Sequence, residues 1–196
     1  YLFERLYKIK KNEFILFHAA AGGVGLIACQ WAKSIGCKMI GTVSNDKKAD
    51  LALNNGCEYV INYKKENVVD KVMNITNNIG VPVVYDGVGK DTFNDSLNCL
   101  KTRGLMVSFG QSSGMVDKVN LHKAFNPKSL FYTRPTLMHY TRNKEELEIS
   151  SNSLFDKMRE DKLKANIFKI FNLKDATIAH KLLESRNSTG SIIMKP

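Results

Sequence analysis

The run of small residues at positions 19–25 limits what this chain can fold into more than any other feature does. It follows a short apolar stretch at 14–17 and precedes residues whose apolar side chains recur at helical spacing. A strand, a glycine-rich turn and a helix in that order form the phosphate-binding unit of dinucleotide-binding proteins. Gly22 lets backbone amides approach a pyrophosphate, Gly25 lets the helix pack against the strand, and Ala20 replaces the usual first glycine. Because a helix N-terminus attracts phosphate, we predict a dinucleotide site at this turn.

Strand-like and helix-like segments alternate along the chain at a spacing of roughly 20–25 residues, which is typical of βαβ units. The strands are predicted at 14–17, 39–43, 59–62, 81–86, 105–109 and 130–133, with a last strand at 191–194. The main helices are predicted at 26–35, 46–55, 68–75, 92–100, 145–159 and 175–184. The pattern indicates an α/β fold, a Rossmann doubly wound parallel sheet of about six strands with helices on both faces. We expect one domain over residues 1–196, with a C-terminal helix and strand.

The end of the second predicted strand bears on the choice between NAD and NADP. NAD enzymes usually carry Asp or Glu there to bind the ribose hydroxyls, whereas this chain has Ser44, followed by Lys47 and Lys48. A small residue with basic neighbours suits a 2′-phosphate. Asp46 is the one contrary residue, either as a displaced ribose-binding acid or as a helix cap. We predict NADPH as the cofactor.

Charge and cysteine usage exclude several classes of function. The formal net charge is +10, but the basic residues are spread in short groups without an arginine-rich tract. This distribution favours a solvated surface over a nucleic-acid partner. The four cysteines stand singly, which indicates free thiols in a reducing cytoplasm rather than a metal knuckle or a redox pair. No apolar run approaches ~18 residues, so we expect no membrane partner.

Seven motifs in order extend the prediction from a fold to a family. They lie at 17–25, 41–43, 60–63, 84–89, 104–110, 133–137 and 183–186. Together they resemble the zeta-crystallin type of quinone oxidoreductases, in the medium-chain dehydrogenase/reductase superfamily, and most closely the bacterial NADPH:quinone reductases. The resemblance covers nearly the whole chain. It implies an oxidoreductase that holds NADPH and a quinone face to face without zinc.

The phosphate turn and the resemblance together assign the candidate cofactor-binding residues. The turn and the second strand end supply Ala20, Gly22, Gly23, Val24, Gly25, Ser44, Asn45, Lys47 and Lys48. The resemblance adds Tyr63 and Arg186 around the 2′-phosphate, Phe109, Gly110, Gln111 and Ser112 near the nicotinamide ribose, and Pro135, Thr136 and Leu137 beside the nicotinamide. No catalytic side chain and no metal ligand is assigned.

The resemblance also implies a missing part. The family carries an N-terminal catalytic, GroES-like domain that supplies most quinone contacts, and nothing before the first predicted strand is long enough to form it. The chain starts at Tyr1 rather than at Met, so we expect a fragment that binds NADPH and turns over poorly alone. We also expect a homodimer through the edge strand at 130–133, since unpaired edge groups are a template for pairing.

Three alternatives stay open. An enone or alkenal reductase of the same superfamily would share every motif, because substrate choice lies largely in the missing domain. A short-chain dehydrogenase would use the Tyr-x-x-x-Lys string formed by Tyr140 and Lys144, although the glycine pattern differs from that family. A non-catalytic NADP-sensing or RNA-binding module is the third alternative, given the positive charge.

Overall fold

The main element of the fold is a six-stranded sheet. The structure is a computed structural model that describes residues 1–185 and 188–196. The strands of the main sheet are β1 (Phe14–Phe17), β2 (Lys38–Val43), β3 (Tyr59–Asn62), β4 (Val81–Asp86), β5 (Leu100–Ser108) and β6 (Phe131–Thr133). They form one six-stranded sheet in the order β3-β2-β1-β4-β5-β6, and every neighbouring pair is parallel. This is the strand order of the dinucleotide-binding fold, and the predicted Rossmann sheet is confirmed.

The first five helices lie between consecutive strands of the main sheet, and the last two follow its last strand in the sequence. They are α1 (Gly23–Ile35), α2 (Asp46–Asn54), α3 (Val68–Ile75), α4 (Phe93–Cys99), α5 (Leu121–Phe125), α6 (Lys144–Arg159) and α7 (Ala176–Glu184). A short π-helical turn at Leu2–Leu6 precedes the sheet. Helix α1 ends where predicted, at Gly36, whose φ of 77° lies in the left-handed region that favours glycine at a helix end.

The two faces of the sheet carry separate hydrophobic clusters. In β1, Ile15 and Phe17 belong to the cluster covered by α1 and α2, whereas Leu16 belongs to the cluster covered by α3 and α4. Strands buried on both faces explain why the sequence shows continuous apolar runs rather than alternation. Both faces are therefore covered by helices, as predicted. The four cysteines are buried free thiols within these two clusters.

The C-terminal strand does not join the main sheet. The predicted strand forms as β8 (Ser191–Lys195), but it pairs in parallel with β7 (Ile167–Asn172) in a separate two-stranded sheet. The sequence analysis missed β7, although its Ile-Phe-Lys-Ile-Phe run is apolar, because it lies outside the regular alternation of strands and helices. Most β7 side chains are exposed, with Phe171 the buried one.

Candidate cofactor-binding site

A cleft of about 600 Å³ opens where β1, β2 and β4 end at their carboxyl termini. The strand order reverses between β1 and β4, and open α/β sheets bind ligands at such a point. Five of the predicted cofactor residues line the cleft, namely Gly22, Ser44, Lys48, Tyr63 and Ser112. These residues come from four separate parts of the chain. The topology thus brings together four residues assigned to the phosphates and one, Ser112, assigned to the nicotinamide ribose.

The phosphate turn is shaped by close backbone contacts. Ala19 adopts a left-handed φ of 57°, and its carbonyl oxygen accepts a hydrogen bond from the Gly22 amide at 3.0 Å. Gly22 is the N-cap of α1, and in the described chain no side chain hydrogen-bonds to that cap. A Cβ on Gly25 would lie 2.5 Å from the carbonyl oxygens of both Ala19 and Ala20, so only glycine fits. Glycine at this position keeps the N-terminus of α1 close to the end of β1, where its backbone amides can bind an anion.

One wall of the cleft concentrates positive charge beside Ser44. Partial burial lowers the pKa of Lys48, and the positive charge of Lys64 lowers it further. Two ammonium groups that destabilise each other favour an anion between them. Lys64 was not among the predicted residues; it comes close to Lys48 because β2 and β3 are parallel neighbours whose following residues meet at one edge, which no local pattern of the sequence encodes. This wall suits a phosphate.

Asp46 is engaged by two neighbouring residues. Its carboxylate accepts a hydrogen bond from Asn62 Nδ2 at 2.9 Å and pairs with Lys65 Nζ at 2.6 Å, and these contacts lower its pKa. The helix-cap interpretation of Asp46 was wrong. Asn45 is the cap of α2, and its side-chain oxygen accepts from the Lys48 amide at 2.9 Å.

The loop after β5 is held against the turn after β4. A Cβ on Gly110 would lie 2.6 Å from the Gly87 carbonyl oxygen, so the two backbones touch. Arg134 donates one hydrogen bond to the Ser108 carbonyl oxygen at 2.9 Å and another to Gln111 Oε1 at 3.0 Å. The sequence analysis missed Arg134 as a support for this loop. Its guanidinium orients Gln111, which the sequence assigned to the nicotinamide side.

The other predicted residues within the described part of the chain are not among those that line the cleft. They are Ala20, Gly23, Val24 and Gly25 in the phosphate turn, Asn45 and Lys47 at α2, Phe109, Gly110 and Gln111 after β5, and Pro135, Thr136 and Leu137 after β6. Lys47 and Leu137 are exposed. Arg186 lies outside the described residues.

The Tyr-x-x-x-Lys string is not a catalytic pair in this fold. The Tyr140 ring packs against the Tyr1 ring at a centroid distance of 4.9 Å. Lys144 Nζ pairs with Glu148 at 3.6 Å at the start of α6. Neither residue is among those that line the cleft. The short-chain dehydrogenase alternative therefore loses its only support.

A buried polar network that the sequence analysis missed lies at the cleft, which two of its members, His18 and Thr42, line. His18 Nδ1 is 3.0 Å from Thr42 Oγ1, and His18 Nε2 is 3.0 Å from Ser96 Oγ. Ser96 Oγ donates to Asp86 Oδ2 at 2.8 Å. Burial lowers the pKa of His18, against the opposing effect of the Asp86 and Asp95 carboxylates, so the ring is neutral.

This lowered pKa predicts how folding stability depends on pH. As the pH falls below the ordinary His value of 6.5, the unfolded chain takes up a proton that folded His18 refuses. We expect the free energy of unfolding to fall with a slope of up to about 1.4 kcal/mol per pH unit between that value and about pH 5. The measurement is urea unfolding across this range, compared with His18→Gln, whose curve should be flatter.

The acidic groups provide the control for that window. Hydrogen bonds from Arg142 lower the pKa of Glu146 to about 2, so its contribution is lost only below its ordinary value of 4.5. An equal slope in His18→Gln and in the unsubstituted protein between pH 6.5 and about pH 5 would assign the effect to other groups.

Comparison with known sequences places this geometry in a family. The profile of the zinc-binding dehydrogenases matches residues 23–156, which is most of the main sheet with its helices. The chain belongs to the zinc-binding dehydrogenase family. A quinone oxidoreductase of Salmonella typhimurium is 50% identical over 100% of this chain and 61% of its own length. A 2-haloacrylate reductase of a Burkholderia species is 41% identical over 100% of this chain and 59% of its own length.

A solved structure gives the same result. The crystal structure of Escherichia coli quinone oxidoreductase complexed with NADPH matches 100% of this chain with a TM-score of 0.97 and 50% identity. The predicted resemblance to quinone oxidoreductases is thereby confirmed. The chain spans about three fifths of the length of these relatives, 61% in the Salmonella and Escherichia coli proteins.

The family name refers to zinc, which is bound in proteins by clusters of Cys, His, Asp or Glu side chains. Among residues 1–185 and 188–196, no group of three or more His, Cys, Asp or Glu side chains could hold a metal ion. Zinc sites need such a cluster, and these residues do not fit one. We derive no step through a metal. In the same part of the chain, no helix is long and apolar enough to span a membrane.

Proposed function

We propose that this chain is the NADPH-binding part of an NADPH-dependent quinone reductase that works without zinc. The observation that carries the proposal is the wall of the cleft on which Ser44, Lys48 and Tyr63 meet. A 2′-phosphate needs room and positive charge at that point, and both are present. The acid that would favour NADH, Asp46, is bound by Lys65.

In the described part of the chain, three acids line the cleft, namely Glu66, Asp91 and Asp95, and Glu66 is the one that follows β3, as Tyr63 does. Glu66 lines the cleft, but its carboxylate pairs with Lys71 Nζ at 2.7 Å and accepts from the Asn62 amide at 3.3 Å. These contacts neutralise most of its charge locally. The net charge beside Ser44 remains positive through Lys48 and Lys64.

The chain's own residues hold and orient the cofactor in this proposal. The N-terminal amides of α1, after Gly22, bind the pyrophosphate, and Ser44, Lys48 and Lys64 bind the 2′-phosphate. The loop with Gln111 and Ser112 lies at the nicotinamide ribose, where Arg134 supports it. NADPH supplies the reducing equivalent as hydride when it is bound. The protein contributes position and electrostatics.

The substrate is the next element of the proposal. The quinone oxidoreductase relatives support a quinone, while the 41% identical 2-haloacrylate reductase favours an activated alkene as the second candidate. The test follows NADPH oxidation by the full-length protein with 1,4-benzoquinone and with 2-chloroacrylate. Faster turnover with the quinone is expected, and faster turnover with the haloacrylate would move the protein to the second candidate.

We propose that residues 1–196 form the NADP(H)-binding domain with its C-terminal helix and strand, and that an N-terminal catalytic domain lies outside them. Exposed apolar side chains on the second sheet and on α7 support a further part that covers them, namely Ile167, Ile170, Ile178, Leu183 and Met194. Residues 1–196 alone should bind NADPH but reduce quinone poorly. Quinone reduction by this fragment at the full-length rate would contradict the proposal.

We also propose a cytoplasmic homodimer that pairs through β6, with small molecules rather than nucleic acid or membrane as partners. Strand β6 lies at the edge of the sheet order, and Phe131 and Tyr132 on it are 60% and 43% exposed. Light scattering should give twice the monomer mass. Phe131→Asp should halve that mass while NADPH binding persists. Phe131 is the first residue of β6, whereas the cleft lies at the carboxyl ends of β1, β2 and β4. A monomeric mass for the unsubstituted protein would rule the dimer out.

A further inference from the structure

The network around His18 has a fixed direction. Asp86 accepts at both carboxylate oxygens, from the Val88 and Gly89 amides, from the Thr92 hydroxyl and from the Ser96 hydroxyl at 2.8 Å. A serine hydroxyl has one hydrogen to donate. Since Ser96 gives that hydrogen to Asp86, its oxygen can only accept from His18 Nε2 at 3.0 Å. The ring proton therefore lies on Nε2.

The other end of the network follows from this assignment. A neutral imidazole with its proton on Nε2 accepts at Nδ1, so the Thr42 hydroxyl donates to it at 3.0 Å. Thr42 Oγ1 in turn accepts from the Ala19 amide at 3.3 Å. The hydrogen bonds thus run in one direction, from the Ala19 amide through Thr42, His18 and Ser96 to the Asp86 carboxylate. Such chains polarise each other and strengthen cooperatively.

The two ends of this network lie at two segments that line the cleft, the phosphate turn after β1 and the turn after β4. Ala19 opens the phosphate turn in a left-handed conformation that non-glycine residues rarely adopt, so its amide needs an anchor. Asp86 fixes the amides of Val88 and Gly89, in the turn whose Gly87 carries the loop after β5. The proposed function assigns the pyrophosphate to the phosphate turn, and the turn after β4 packs against the loop to which it assigns the nicotinamide ribose.

We infer that His18 is a positioning residue for NADPH. It relays one directional hydrogen-bond network that fixes the position of the phosphate turn relative to the turn after β4. This inference rests on the proposed function. His18 and Thr42 line the cleft but are only 1% and 2% exposed, and Ser96 is fully buried, so the relay acts through its hydrogen bonds within the protein. A buried histidine with a merely structural role could have the same proton position, but changes at Thr42 and Ser96 would then leave NADPH binding unchanged.

The proton position can be measured without any cofactor. The full-length protein, labelled with ¹⁵N in its histidines, contains His18 among four histidines of residues 1–196. The ¹⁵N spectrum should show a ring with its proton on Nε2 and a bare, accepting Nδ1, and this signal should vanish in His18→Gln. A proton on Nδ1, or on both nitrogens at neutral pH, would overturn the inference.

The coupling is tested by NADPH binding to the full-length protein. Thr42→Val and Ser96→Ala should each weaken binding about fivefold, the effect of one lost hydrogen bond. Because each change interrupts the same relay, the double variant should lose clearly less than the product of the two. Independent, multiplicative losses would overturn the relay, as would unchanged affinity in both single variants.

His18 itself provides the rescue experiment. Glutamine can donate and accept as the neutral ring does, so His18→Gln should keep NADPH affinity within about threefold, whereas His18→Leu should lose about tenfold or more. Equal affinities in the two variants would contradict a positioning role. If His18→Leu does not fold, the Thr42 and Ser96 variants decide. Failure of the unsubstituted protein to bind NADPH would instead reject the proposed function, while the ¹⁵N spectrum still reports on the relay.

Discussion

Gly25→Ala is expected to destabilise the protein by at least about 1–3 kcal/mol and to abolish NADPH binding. The added methyl group would lie 2.5 Å from the Ala19 and Ala20 carbonyl oxygens and 2.6 Å from the Ala20 carbonyl carbon. These are backbone atoms of the phosphate turn, so relief requires that α1 move away from β1. Movement of α1 displaces the amides that bind the pyrophosphate. Urea unfolding and NADPH titration measure the two effects.

Gly23→Ala is the matched control for this prediction. It makes the same change in the same turn, but the nearest atoms to its Cβ are Ser191 Oγ at 3.5 Å and Gly190 backbone atoms at 3.6 Å, which are ordinary contacts. The free energy of unfolding should change by less than about 0.5 kcal/mol. If both variants lost the same stability, the close approach at Gly25 would not be the cause.

Lys48→Ala is expected to weaken NADPH binding about 10- to 100-fold, the effect of one lost hydrogen bond to a charged group. NADH binding should change by less than about threefold, because NADH lacks the 2′-phosphate. The partial burial of Lys48, beside Lys64, makes a phosphate there less screened by solvent than at an open surface. Fluorescence titration of both cofactors with the full-length protein measures the difference.

Lys47→Ala removes the same charge from the neighbouring position and serves as the control. Lys47 is exposed and is not among the residues that line the cleft, so its loss should change the affinity for either cofactor by less than about threefold. An equal loss of NADPH and NADH affinity in Lys48→Ala would remove the basis for NADPH selection. If Lys47→Ala and Lys48→Ala weakened NADPH binding equally, Lys48 would act only through general attraction between charges and not through a specific contact with the 2′-phosphate.

The main sheet could be predicted because its information is local. Continuous apolar runs such as Phe14–Phe17 indicate strands buried on both faces, and the glycine spacing places Gly22 and Gly25 at the strand-to-helix turn. Ser44 was predictable as well, since its position is counted from that turn. These signals depend on neighbours in the sequence and not on contacts between distant residues.

The parts that could not be predicted depend on residues from different strands. Lys64 meets Lys48 because β3 lies next to β2, and Arg134 reaches Gln111 because β6 lies next to β5. The relay through His18 needs residues 24 and 78 positions apart from it. No local pattern encodes such separations. Strand β7 was missed for a related reason, since its partner β8 is distant and the pair stands outside the main sheet.

The dissociation constants of NADPH and NADH for the full-length protein, measured at one ionic strength, test the central claim most directly. The wall on which Ser44, Lys48 and Tyr63 meet, with Lys64 close to Lys48, predicts that NADPH binds at least about ten times more tightly than NADH. Equal affinities, or tighter binding of NADH, would contradict the assignment of this cleft to NADPH.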